Sequence, residues 1–169
     1  MLSAPTVTER EAQPYVAIRK KVSMQEISTL LPPLIPELIG WLGAHQVVPW
    51  GAPFFRYLRM EPNDMLDVEV GIPVSAPVLG DERVHPGAIP KGRYLTVTYT
   101  GSYAGLRSAH MALEAEAARR GAQWTESTDE SGPGIGFRAE IYITDPTREP
   151  NPEKWQTEII SLLAEDAKE

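Results

Sequence analysis

The chain has 169 residues, a net charge of −7 and no cysteine. That length suffices for one domain with its own core. The acidic balance argues against a surface that tracks nucleic-acid phosphates, though not against protein partners or cationic small molecules. Lack of cysteine excludes disulfides, thiolate nucleophiles and Cys-ligated metal.

Residues 1–13 are polar and read as surface or frayed chain. No basic segment followed by an apolar run opens the chain, and no stretch is apolar enough to span a bilayer, so the expectation is a cytoplasmic protein without membrane contact. Tyr15-Val16-Ala17-Ile18-Arg19-Lys20-Lys21-Val22 alternates as a strand. Ser23 with Glu26 three residues later fits a capping box. A helical spacing follows in Ile27, Leu30, Leu31, Leu34, Ile35, Leu38, Trp41 and Leu42. Prolines at 32, 33 and 36 interrupt it, which predicts a short first turn and a main helix from about Pro33 to Ala44. Val47 to Pro53 is a loop. Phe54 to Met60 and Leu66 to Val74 are strands, with Asp67 and Glu69 on one face of the second and Leu66, Val68, Val70 and Ile72 on the other.

Residues 75–92, rich in Pro and Gly, connect two halves. Arg93 to Thr100 is a strand. Ser102 caps a helix running from Tyr103 to about Arg120, with Leu106, His110, Leu113 and Ala117 on one stripe and Gly121 as its stop. Trp124 to Thr128 is a short strand, and 129–136 is a hairpin loop. Phe137 to Pro146 alternates again. Phe137, Ala139, Ile141 and Ile143 share the face expected to pack on helices, and Arg138, Glu140, Tyr142 and Thr144 share the other. The spacing of Trp155, Ile159, Leu162 and Leu163 predicts a short helix within 152–164 in a C-terminal tail, 147–169.

Both halves repeat the order strand, helix, strand, strand. Tyr15-Val16-Ala17-Ile18 aligns without gaps to Tyr94-Leu95-Thr96-Val97, and at the same offset Ser23 meets Ser102 and Ile27 meets Leu106. Asp67-Val68-Glu69-Val70 also aligns with Arg138-Ala139-Glu140-Ile141, which would put Glu69 and Glu140 in matching places. The prediction is an α+β domain of two β-α-β-β modules, about 15–77 and 94–146, related by a pseudo-twofold around a central cleft.

The sequence resembles the GyrI-like, or AraC-type, effector-binding domains along nearly the whole chain. The resemblance rests on Phe55-Arg56-Tyr57, Asp67-Val68-Glu69-Val70-Gly71-Ile72-Pro73-Val74, Gly92-Arg93-Tyr94, Thr100-Gly101-Ser102-Tyr103, Ala139-Glu140-Ile141-Tyr142-Ile143 and Trp155-Gln156-Thr157-Glu158-Ile159. It implies capture of bulky, planar or cationic compounds between two modules, with a last-strand glutamate, matched by Glu140, at the heart of the pocket. It also implies a stand-alone form, since the chain leaves no room for the helix-turn-helix segment often fused to the domain. Stand-alone branches include hydrolases of cyclopropane-bearing DNA-alkylating natural products, which confer self-resistance, and proteins associated with inhibition of DNA gyrase.

The expected ligand-binding residues are therefore Glu140, Tyr142, Tyr57, Phe54, Trp50, Tyr103, Trp155 and Glu69, with Glu140 and Tyr142 as catalytic candidates if the protein is a hydrolase. Each has a plainer reading. Glu140 and Glu69 could be solvated residues on open sheet faces, the aromatics could be core, and Trp155 could pin the tail. His45, His85 and His110 lack ligand spacing and read as structural, so neither metal nor cofactor is expected. Gly132 to Gly136 precedes a strand and opens no helix, so it fails as a phosphate loop. A monomer or weak homodimer is expected.

Overall fold

The computed structural model describes residues 1–165. Thr6–Arg10 (β1) leads into the long strand Gln13–Ser23 (β2). At the end of β2 the Glu26 carboxylate accepts from the Ser23 amide at 2.9 Å, as the capping box requires. A 3-10 turn, Met24–Glu26, and a single α-turn, Ile27–Leu30 (α1), precede the main helix Leu34–Ala44 (α2). Pro36 falls in the first turn of α2, where its missing N–H breaks no helical bond. Phe54–Met60 (β3), Met65–Pro73 (β4), His85–Ile89 (β5) and Gly92–Thr100 (β6) follow. A 3-10 turn, Tyr103–Gly105, then opens Leu106–Arg120 (α3), which Gly121 ends at φ 65°, a left-handed stop that favours glycine. The remaining strands are Glu126–Asp129 (β7), Gly132–Ile135 (β8), Arg138–Tyr142 (β9) and Gln156–Leu162 (β10).

Eight strands form one curled antiparallel sheet in the order β1-β6-β10-β9-β3-β4-β2-β5, and β7-β8 is a separate hairpin. The order is a palindrome about the β9–β3 seam. β2, α2, β3 and β4 of the first unit correspond to β6, α3, β9 and β10 of the second. The edges are exchanged: β1 precedes β2 but pairs with β6, while β5 precedes β6 but pairs with β2. Val70 lies opposite both Ile18 and Phe55, and Ile159 lies opposite both Val97 and Glu140. The twofold thus maps Ile18 onto Val97, in the register that the sequence alignment gives. It maps Glu140 onto Phe55, however, and Glu69 onto Glu158, so Glu69 and Glu140 are not equivalent.

Four strands contradict the sequence reading. β1 lies in the stretch read as surface chain, β5 lies in the connection, and β8 lies in the stretch read as a hairpin loop. The predicted helix within 152–164 is β10, a central strand that completes the second unit. Thr157, Ile159, Ile160 and Ser161 are all buried, on both faces of the sheet, so the strand carries no alternation to betray it.

Three clusters form the core. Leu34, Leu38 and Leu42 of α2 pack on Val16, Ile18, Phe55, Val68, Val70 and Ile72. Leu106, Ala109, Leu113 and Ala117 of α3 pack on Leu95, Val97 and Ile159. The opposite side of the sheet holds a helix-free cluster that includes Tyr15, Phe54, Tyr94, Phe137, Ala139 and Ile141. The faces of β9 are therefore inverted relative to expectation. Its apolar residues fill the helix-free core, and Glu140 and Tyr142 lie on the side of the helices.

Candidate functional site

On the helix side, β3 and β9 form the floor of a cleft of about 1120 Å³. Pocket volumes for drug-sized ligands run roughly 300–1,000 Å³, so this one accommodates a bulky molecule. Residues of α1 and α2, among them Ile27, Ile35 and Ile39, make an apolar wall on one side; Tyr103, Leu106, Arg107 and His110 face them from the other.

Glu140 is 5% exposed at the floor. Its Oε1 accepts from Tyr57 Oη at 3.0 Å and from Tyr142 Oη at 2.6 Å. Its Oε2 meets His110 Nε2 at 2.7 Å. Each donor has a structural cause. Phe55 lies opposite Glu140 across the β3–β9 seam, so Tyr57, two residues on, shares its face. Tyr142 is two residues beyond Glu140 on β9. His110 sits one residue past Ala109, whose stripe packs on the sheet, and the roughly 100° step of a helix turns it toward the cleft. Burial, then the neighbouring carboxylate, push the Tyr57 and Tyr142 hydroxyls well above the usual phenol range, so both remain hydrogen-bond donors. No Lys or Arg ion-pairs with Glu140 among the described residues.

Aromatic rings continue from the floor to the mouth. Phe55 meets Tyr142 edge-on at 4.8 Å, Tyr142 meets Tyr103 at 5.5 Å, and Tyr103 meets Trp155 at 4.7 Å. Trp155 is fixed by an Nε1–H bond to the Glu149 carbonyl at 2.8 Å. Met24, Ile39, Met60 and Ile143, all at least half-exposed or nearly so, line the cleft as well.

Of the residues singled out from sequence, Glu140, Tyr142, Tyr57, Tyr103 and Trp155 line this cleft. Three do not. Phe54 is fully buried on the opposite face, edge-on to Tyr15 at 4.9 Å, because neighbours on a strand point to opposite sides. Glu69 lies on that face too, bonded to Tyr15 Oη at 2.7 Å, His85 Nε2 at 2.9 Å and Arg56 Nη1 at 3.2 Å. Burial pushes its carboxyl up, but the His85 bond, the Arg56 charge and the Tyr15 bond outweigh this and hold it below the usual range. Trp50 is 65% exposed on the loop before β3. His110, read as structural, joins the site. His45 stacks on Trp41 at 3.9 Å. Among the described residues no cluster of three or more His, Asp or Glu is placed to hold a metal ion.

Compared by sequence with curated proteins, the chain matches none. Among solved structures, the EcmrR C-terminal domain superposes with a TM-score of 0.76 at 21% identity, covering 95% of this chain and 96% of that one. In the EcmrR–DNA complex the TM-score is 0.77 at 20% identity over 96% of this chain, and the chain spans 57% of that longer EcmrR chain. SAV2435 bound to tetraphenylphosphonium gives a TM-score of 0.65 at 12% identity, covering 95% and 94%. A hydrolase from Listeria innocua gives 0.55 at 12% identity, covering 95% and 91%. At these identities the likeness shows the fold. The profile of the GyrI-like small molecule binding domain matches residues 3–163, and the chain belongs to that family.

Proposed function

We propose that the cleft binds bulky lipophilic cations, planar ones included, with Glu140 as the counter-charge at its floor. The observation that carries this reading is a buried carboxylate with no Lys or Arg paired to it among the described residues, at the foot of an apolar, aromatic-lined cavity. Burial of an unpaired charge is costly. None of the three donors that hold Glu140 in place is a permanent cation, so a cation in the cleft gains both the Coulomb term and stacking on Tyr103, Tyr142 and Trp155. A neighbour of the same fold is bound to a lipophilic cation, tetraphenylphosphonium.

A second reading is hydrolysis of an electrophilic compound such as a cyclopropane-bearing alkylating agent. It is favoured by the convergence of two phenols on the carboxylate. Glu140 would take a proton from water, the water oxygen would bond to the electrophilic ring carbon as the strained C–C bond breaks, and Tyr142 or Tyr57 would donate to the oxygen that takes up the released electron pair.

Incubation with a panel of planar electrophiles and lipophilic cations, followed by mass spectrometry, separates the two. Unchanged cation that co-purifies supports the binder. Product heavier by one water supports the hydrolase. A panel in which no member is retained or altered rejects both.

A further inference from the structure

The His110–Glu140 pair has a consequence beyond holding the carboxylate still. Tyr57 and Tyr142 donate to Oε1, so the carboxylate acts as an acceptor, and at 2.7 Å from Oε2 the His110 Nε2 is the donor. That assignment leaves Nδ1 as the second protonation site. Nδ1 has no hydrogen-bond partner among the described residues, and it is not one of the sealed, unpartnered polar atoms. The His110 side chain is 20% exposed and lines the cleft. A proton can therefore enter or leave at Nδ1 without breaking the bond to Glu140.

We propose that His110 sets the charge selectivity of the cleft: a permanent cation docks against Glu140 as the second proton leaves His110. The inference rests on the binding reading above. With both ring nitrogens protonated, the pair sums to zero and presents its positive end to the ligand. With Nδ1 bare, the floor carries one negative charge. The other charged groups facing the cleft do not alter this balance near neutral pH. Arg59 is held by Asp67 and Asp129, and Arg138 by Glu114. Arg107 is an arginine and stays charged. Asp145 is held below the usual carboxylate range by its Thr147 bonds. The Tyr57, Tyr142 and Tyr103 hydroxyls are all pushed up by burial. The facing wall of α1 and α2 contributes no titratable group to the lining. Histidine is the side chain whose charge changes between about pH 5 and 8, and His110 is the histidine lining this cleft.

Linkage fixes the direction. Cation binding expels a proton, so affinity rises with pH, by at most about tenfold per unit for one proton exchanged, and levels off once His110 is neutral. A neutral ligand of similar shape shows no such slope.

Isothermal titration calorimetry with tetraphenylphosphonium, whose charge does not depend on pH, tests this between about pH 5 and 8. Triphenylphosphine oxide serves as the neutral probe. Phosphate and Tris buffers, which differ in ionisation enthalpy, reveal proton release. The expected result is a cation affinity that rises with pH, a buffer-dependent enthalpy on the rising limb, and flat affinity for the phosphine oxide. His110→Gln keeps a donor for Glu140 and should make cation affinity flat, and tighter than the native protein at the acid end. A flat native profile without proton release overturns the proposal, as does an unchanged slope in His110→Gln or an equal slope for the neutral probe. If His110→Gln does not fold, the native slope, the buffer dependence and the neutral probe still decide it. Failure of both probes to bind at every pH overturns the binding reading, and this inference with it.

Discussion

Glu69 and Glu140 are both buried strand glutamates, 6% and 5% exposed, each bonded to a histidine and to tyrosine hydroxyl. They differ in one partner. Glu69 has Arg56, whose guanidinium also bonds the Gly136 carbonyl and lies 4.7 Å from the centre of the Phe137 ring. Glu140 ion-pairs with no Lys or Arg among the described residues, and it faces a large cleft, where Glu69 sits among core side chains. A neutralised buried carboxylate belongs to the architecture. One held only by neutral or titratable donors remains electrostatically open, and a ligand can complete it.

The largest effect should come from breaking the Glu69 side. Arg56→Met leaves Glu69 buried without its cation, and such a loss costs about 3–5 kcal/mol. Urea unfolding should show that drop, while the affinity for a lipophilic cation in the surviving folded protein stays near native. An affinity loss as large as the stability loss would mean that the two faces of the sheet act as one site.

Acid titration sharpens the same contrast. The Glu69 carboxyl is held below its usual range in the folded state, so its stabilisation is present above the unfolded pKa, about 4.3, and is lost as pH falls through the folded value. The melting temperature should therefore fall below about pH 4.3 in the native protein, and less steeply in Glu69→Gln. Equal acid limbs in the two proteins would remove Glu69 from the account. At the other extreme, the buried Tyr57 and Tyr142 hydroxyls are raised in the folded state, so their stabilisation is complete below about pH 10 and fades as pH rises beyond it.

Glu140→Gln is the next effect in size, and it should appear in binding. Losing one charge-assisted contact costs about 1.5–3 kcal/mol, so cationic ligands should weaken and neutral ones should not. If the cleft hydrolyses its ligand, the same change spares binding and abolishes turnover. A variant unaltered in both would return Glu140 to the status of a structural residue like Glu69.

How far these differences could be read in advance depends on what alternation encodes. A period of two separates Glu140 and Tyr142 from Ala139 and Ile141, and this holds in the structure. It does not say which face meets the helices. The apolar face of β9 was assigned to them because apolar faces usually pack there. In this fold the helix-free side is the drier one, with Phe54, Tyr94 and Phe137 in its core, and the helix side is hollowed out as a cleft. The gapless match of β2 to β6 was legible because both strands alternate in the same register. β1 and β5 were not. Thr6-Val7-Thr8-Glu9-Arg10 has one apolar residue and joins the edge through its backbone and a Thr8–Thr96 hydroxyl bond at 2.8 Å. His85-Pro86-Gly87-Ala88-Ile89 has a proline tolerated at an edge and a glycine over which the Tyr15 ring lies, so close that a Cβ there would fall 2.6 Å from it. His110 was lost because its spacing from Leu106 and Leu113 fits a core stripe, and the step that sends it into the cleft depends on where the helix lies.

The smallest effects separate two tryptophans that the sequence placed on the ligand. Trp155 lines the cleft with its ring tilted against Tyr103; Trp50 stands 65% exposed on its loop, tied down by its own backbone N–H to the Pro73 carbonyl at 2.8 Å. Trp155→Ala removes one ring from the wall and should weaken aromatic ligands by about 1 kcal/mol, within the range for aromatic pairs beyond area burial. Its melting temperature should fall less than its affinity does, since among the described residues the Trp155 side chain makes one hydrogen bond, to the Glu149 carbonyl. A large stability loss with unchanged affinity would place Trp155 in the core. Trp50→Ala should change both quantities by less than about 0.5 kcal/mol, as exposed substitutions do. Its backbone N–H remains, so the loop keeps its attachment to Pro73. Calorimetry on the two variants side by side decides the matter. If Trp50→Ala weakens binding as much as Trp155→Ala, the loop before β3 closes over the bound ligand, and the cleft has a wall that the ligand itself recruits.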